Sequence, residues 1–262
     1  MKHLAIVMAF GAVLAMPATA SAQAAGQGAR TDLGGTQGAQ TFSVRGHVII
    51  WGAVGLDLDV IGDVTAGGLG SIRGTATAID ATAYPDIYVR TPRRRYLGVG
   101  YGLFDKAEVF ARYQSARNPA ATVLIGRMGT NTNTFPVGFD EYKDSLIEFG
   151  IRKYIATPRA SREYFALVGG VKTVEPISMT MQPPGGDIRA ELYSKSRIPS
   201  LGLEFGVTVE FHKIGVFIES GLRYQKRLTR NDDQLAAYQL QAANDTGGRF
   251  FMPANIGLLI RF

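Results

Sequence analysis

The chain has 262 residues, no cysteine, a formal net charge of +6 and a mean hydropathy near zero. Absence of cysteine excludes a disulfide-stapled secreted scaffold and a lipoprotein anchor on a cysteine. Charged residues make up only 19% of the chain, aromatics 10%, and glycine is abundant at 32 residues, a balance that favours one large β domain over a charged, disordered or helical chain.

Lys2 and His3 precede an apolar run from Leu4 to Met16, followed by Ala20-Ser21-Ala22. This is the layout of a secretory signal peptide over 1–22, cleaved between Ala22 and Gln23, and the run is too short to cross a bilayer as a helix, which takes about 20 residues. Residues 23–40 are a Gly/Gln/Ala/Thr run without apolar periodicity and read as a disordered periplasmic leader. The remainder, 41–262, reads as one domain.

Eight alternating segments follow, at 41–56, 95–104, 107–115, 145–155, 162–174, 200–211, 214–226 and 251–262. Their connections alternate in length: tight at Asp105–Lys106, 157–161 and His212–Lys213, long over 57–94, 116–144, 175–199 and 227–250. That ordering predicts an all-β, antiparallel up-and-down transmembrane barrel with both termini on the short-turn side. The clearest strand sets Leu201, Leu203, Phe205, Val207, Val209 and Phe211 against Gly202, Glu204, Gly206, Thr208, Glu210 and His212. Period-2 alternation alone does not say which face is inside; the export signal, the loop alternation and the final strand decide for apolar outward. Within 175–199, Ile177–Met181 and Ile188–Tyr193 flank Gln182-Pro-Pro-Gly-Gly-Asp187, a hairpin that either rises above the membrane or, crossing it, would make ten strands.

The final strand ends at Phe262, with Ile256, Leu258, Ile260 and Phe262 on one face. Together with Tyr96–Tyr113 and Glu148–Tyr154, it resembles the eight-stranded outer-membrane barrel family of the OmpA transmembrane domain and OmpX. That resemblance implies a barrel closed by the carboxy-terminal strand, whose terminal aromatic and alternating apolar residues are read by the barrel-insertion machinery. The peptidoglycan-binding domain of OmpA has no counterpart after Phe262, so cell-wall anchoring is not expected.

The inward set is then Arg45, Glu108, Arg112, Glu148, Arg152, Lys172, Glu204, Glu210, Glu219, Arg223 and Arg261, of nearly balanced sign. Such a set predicts a paired plug; a single-sign ring would have pointed to ion selectivity. His47 and His212, the histidines beyond the signal peptide, suit neither a rim nucleophile nor its base, so no catalytic residue is expected. Arg90, Arg93, Arg94 and Arg95 are expected at the outer rim, where guanidinium groups would contact lipopolysaccharide phosphates. Asp57, Asp59 and Asp63 lack the ligand count of a calcium loop, and no metal or cofactor is expected. The reading is a monomeric outer-membrane barrel of structural or surface-interaction type, with lipid and an extracellular protein as partners and no nucleic acid. A small porin-like channel is the alternative and an outer-leaflet barrel enzyme the third.

Overall fold

The computed structural model describes residues 42–88, 94–129, 134–155 and 161–262. The signal peptide, the leader, Ala22, Gln23, Arg90, Arg93 and most of the 157–161 turn lie outside these residues.

Eight long strands close into a barrel: β1 (Val48–Ile61), β6 (Arg94–Phe104), β7 (Ala107–Asn118), β10 (Tyr142–Tyr154), β11 (Ser161–Val174), β14 (Ser196–Phe211), β15 (Ile214–Gln225) and β16 (Arg249–Arg261). Around the wall their order is β1-β16-β15-β14-β11-β10-β7-β6, each neighbour antiparallel, and β1 returns to β6 so that no edge is left open. Eight strands at the expected places confirm the alternating pattern. The hairpin at 177–193 stays out of the wall, so the ten-stranded option does not arise.

Apolar residues face outward. Leu201 and Leu203 are 60% and 65% exposed, whereas Glu204 and Arg223, on the opposite parity, are at 1% and 0%. The interior is too narrow for bulky side chains from every strand, and glycine makes the room. Gly98 and Gly100 on β6 lie against the indole of Trp51 on β1, and Gly150 lies against the ring of Phe110; a Cβ at Gly98 or Gly150 would overlap its aromatic neighbour.

The first strand starts later than its sequence suggests. Residues 42–47 precede β1 and fold over the short-turn end: Val44 donates its backbone N–H to Asp105 and is fully buried, and Phe42 stacks edge-on with Tyr154. Arg45 consequently lies in an exposed turn rather than in the lumen, which corrects its place in the inward set. Phe262 is tied down at the same end, its N–H donating to Val48 and its carbonyl oxygen lying 2.9 Å from His47 Nδ1.

The long connections build a second body at the other end. It comprises β2 (Asp63–Thr65), β3 (Gly68–Ile72), β4 (Thr75–Ile79), β5 (Thr82–Ala83), β8 (Thr122–Met128), β9 (Thr134–Phe139), β12 (Ile177–Met181) and β13 (Ile188–Tyr193), with the short helices α1 (Tyr84–Ile87) and α2 (Asp232–Ala236). Six of these strands form one sheet, β13-β12-β9-β8-β4-β3. Its apolar core includes Val64, Ile72, Ile79, Val137, Met179 and Leu235, all buried to 2% exposure or less. Its outermost strands are not open for strand addition. The connection between β15 and β16 covers both: Asn231 donates its backbone N–H to Leu192 on β13, and Ser71 on β3 donates to Tyr238. This head is a folded unit with its own core rather than a set of loops.

Two outcomes are expected from this packing. Gly98→Leu should overfill the space beside Trp51 and lower barrel stability by about 1–3 kcal/mol, while the outward Val99→Leu stays within about 0.5 kcal/mol, both read from urea midpoints in lipid vesicles. In the head, burial raises the Tyr193 phenol above its ordinary value of 10.0. The folded state therefore favours the neutral phenol, a contribution complete below pH ~10 and lost as pH rises through the raised value. Tyr193→Phe should flatten the fall in the head's unfolding midpoint between about pH 9 and 12.

Candidate functional site

Strand alternation and barrel closure together place four glutamates and three arginines in the middle of the lumen. Glu108 and Arg112 come from β7, Glu148 and Arg152 from β10, Glu204 from β14, and Glu219 and Arg223 from β15; all are at 3% exposure or less. Register brings two oppositely charged pairs face to face on neighbouring strands, Arg112 with Glu148 and Arg152 with Glu108. Their contacts are 2.8 Å from Arg112 Nε to Glu148 Oε2 and 2.6 Å from Arg152 Nη1 to Glu108 Oε1.

Other pairs leave the wall and cross the interior. Arg112 reaches from β7 to Glu219 on β15, four strands away around an eight-stranded wall, at 3.1 Å. Arg223 Nη1 on β15 lies 2.6 Å from Glu148 Oε1 on β10, and Arg152 Nη2 lies 3.4 Å from Glu219 Oε2. Glu204 is held by both Arg112 and Arg223. Glu219 accepts in addition from the hydroxyls of Tyr96 and Tyr164 at 3.2 and 3.0 Å and from the Asn255 amide at 3.2 Å. A carboxylate taken out of water needs several donors of this kind, and charged donors are the strong ones. The Arg152 guanidinium also lies over the rings of Tyr164, Trp51 and Phe110, with centroids 4.4, 5.0 and 5.1 Å away.

Each end of this cluster carries a further layer. Toward the short turns, Glu210 bridges Arg162 at 3.0 Å and Arg261 at 2.6 Å, and Phe42 lies beneath both guanidinium groups. Toward the head, Lys172 pairs with Asp144 at 3.2 Å, Arg94 pairs with Asp57, and Lys172, Arg94 and Arg249 surround the ring of Phe251. Arg249 also lies over Tyr84 of the head.

Of the expected inward residues, Glu108, Arg112, Glu148, Arg152, Lys172, Glu204, Glu219, Arg223 and Arg261 are inside and paired, Glu210 stands partly buried at the rim, and Arg45 is outside. Arg94 is corrected in the other direction. It turns inward to Asp57 at 3% exposure, so it is not a rim contact for lipid, and Arg95 alone of the described arginines in that cluster faces out. Sequence marks Asp57 only as a rejected calcium ligand, and it does not single out Asp144, Tyr96, Tyr164 or Asn255. Their parity matches the inward face, but their partners come from strands distant in sequence.

Among the described residues no cluster of histidines and carboxylates of metal-binding type occurs. His47 and His212 both lie at the short-turn end, apart from the buried charges.

The strand order, the wall and the inverted faces define the fold. It is an eight-stranded up-and-down β-barrel with an apolar exterior. No protein-family model matches the chain, and no curated protein does. Solved structures similar to it include the outer-membrane protease OmpT of Escherichia coli, at 10% identity and a TM-score of 0.46, covering 86% of this chain and all of that one. The outer-membrane protein OprG of Pseudomonas aeruginosa is similar at 12% identity and a TM-score of 0.42, covering 84% and 98%. Neisserial surface protein A matches at 11% identity and a TM-score of 0.40, covering 82% and 97%. Such likenesses assign no activity and transfer no residue role.

Removing one partner should cost more than removing the cluster's charge as a whole. Arg112→Ala would leave Glu148, Glu204 and Glu219 each short of a cation and should destabilise the barrel by about 3–5 kcal/mol. Adding Glu204→Gln to that variant should recover part of the loss. A double-mutant cycle on urea midpoints checks both, and strict additivity would remove the coupling described here.

Proposed function

We propose that this protein is an integral outer-membrane barrel that does not conduct, with a sealed lumen serving as a rigid stem for an exposed, folded head. The membrane location rests on the apolar exterior of a wall that closes on itself with no open edge strand, the form hydrocarbon tolerates. The observation that carries the sealed reading is the set of ion pairs crossing the barrel axis, above all Arg112 to Glu219. A water-filled path would have to part these pairs, and each freed charge carries a desolvation penalty unless water enters with it. The role is accordingly structural and surface-interactive rather than catalytic or transporting. In keeping with this, the head has its own apolar core, so the stem carries a folded body rather than separate loops.

Refolded mature chain should give no unitary current steps in a planar bilayer, with insertion confirmed by protease protection. Stable steps in the wild type, altered by Glu148→Ala or Arg152→Ala, would overturn the sealed reading and make the protein a narrow pore lined by those residues.

A further inference from the structure

Among the described residues, the outward charges of the wall strands near the head stand on β6, β7, β10 and β14. By register, Arg95 on β6 pairs with Ser115 on β7, Ser115 with Ser145 on β10, Ser145 with Thr173 on β11, and Thr173 with Arg197 on β14, giving an unbroken outward-facing row of hydroxyls flanked by arginines. The next outward pair toward the head is Arg117 opposite Lys143. Like charges directly opposed across two strands destabilise a sheet unless something anionic lies between or beside them. Lys143 has Glu141 at 3.0 Å, and its carbonyl accepts from the backbone N–H of Glu175, itself paired with Lys195 at 3.0 Å; among the described residues Arg95, Arg117 and Arg197 have no ion-pair partner. On the other side of the barrel, the outward positions of β15, β16 and the described part of β1 carry no charge.

Further toward the short turns on the same strands, beyond the outward row Leu97–Tyr113–Ile147–Val171–Pro199, lies an apolar groove of about 710 Å3. Its floor is low because Ala111 and Gly169 occupy outward positions, and Val99, Phe149, Ile151 and Leu201 form its sides. The outward residues lining the groove lie four to six positions from the row along each strand, about 13–20 Å, so one amphiphile with an extended acyl chain can occupy both. Arg95 and Arg197 are four strand spacings apart, about 20 Å, a span suited to a headgroup with more than one phosphate.

We propose that this side of the wall is a binding site for a lipid of the outer leaflet that carries several phosphates. Its headgroup sits on Arg95, Arg117, Lys143 and Arg197 with the hydroxyl row as further donors, and one acyl chain lies in the groove over Ala111 and Gly169. Guanidinium groups offer forked donors to phosphate oxygens, and the hydroxyls complete the shell. The site rests on the membrane reading above, and it moves the phosphate contact away from Arg94, which faces inward.

The test is native mass spectrometry of the refolded chain in micelles doped with diphosphorylated lipid A, with its dephosphorylated form, or with inorganic phosphate alone. Wild type should retain the diphosphorylated lipid about ten-fold more than the dephosphorylated form. R117Q/K143Q should lose most of that preference, and A111L should weaken retention of the lipid. Inorganic phosphate should not bind detectably to any of them. Equal retention of the two lipids by folded wild type, or an unchanged preference in folded R117Q/K143Q, would overturn the site. Binding of inorganic phosphate as strong as that of the lipid would reduce it to an anion patch without an acyl groove. A chain that never reaches the folded, heat-modifiable form in micelles or vesicles would defeat the membrane reading instead.

Discussion

Four carboxylates and three guanidinium groups withdrawn from solvent must satisfy one another, and they do so only because the wall closes at eight strands. An open sheet would bring Arg112 to Glu148 and Arg152 to Glu108, since those pairs are neighbours on adjacent strands. Closure brings β7 within reach of β15 and so adds Glu219 to Arg112. The diameter of an eight-stranded wall is about what two long side chains span from opposite sides, so lumen filling and strand number support each other. Large rings need the same economy of space, and Gly98, Gly100 and Gly150 supply it where Trp51 and Phe110 turn inward.

Both mouths follow from that arrangement. At the short-turn end the segment 42–47 and the Glu210 bridge finish the stack, and the carboxy-terminal strand is fixed beside them through Phe262. At the other end the stack ends on Phe251 among three cations, one of which, Arg249, continues into the aromatic floor of the head. Barrel and head are thus joined by a polar-aromatic layer. The head itself is held by apolar burial, whereas the lumen is held by charge pairing. These respond differently to perturbation: loss of a methylene in the head should be felt as a cavity, loss of one lumen charge as the exposure of its partners.

The exterior carries its own asymmetry. An apolar belt all round is what hydrocarbon requires, but cations gathered near the head on β6, β7, β10 and β14, above a dent in the wall, are not needed for the fold. Lys143 has a carboxylate partner in Glu141 whereas the neighbouring Arg117 has none among the described residues, and an anionic occupant would supply it.

Sequence by itself determined the eight wall strands, their order of short and long connections, and the two faces of each, because a strand's period of two writes its environment directly into alternate residues. It also marked nine of the buried charges from Glu108 to Arg261. It misplaced Arg45, since nothing local shows that β1 begins at Val48 and that the preceding residues fold over the barrel end. It misplaced Arg94 as well, because a run of arginines has no periodicity and only the register of β6 shows which of them turns in. The head was legible only as one hairpin, with Ile177–Met181 and Ile188–Tyr193 visible beside their Pro-Gly turn. Its other strands come from two separate connections, 57–94 and 116–144, neither of which can bury an apolar face alone. Which glutamate meets which arginine across the axis, and how the connections share one core, were decided by tertiary structure, because each depends on contacts between strands far apart in the chain that only barrel closure brings together.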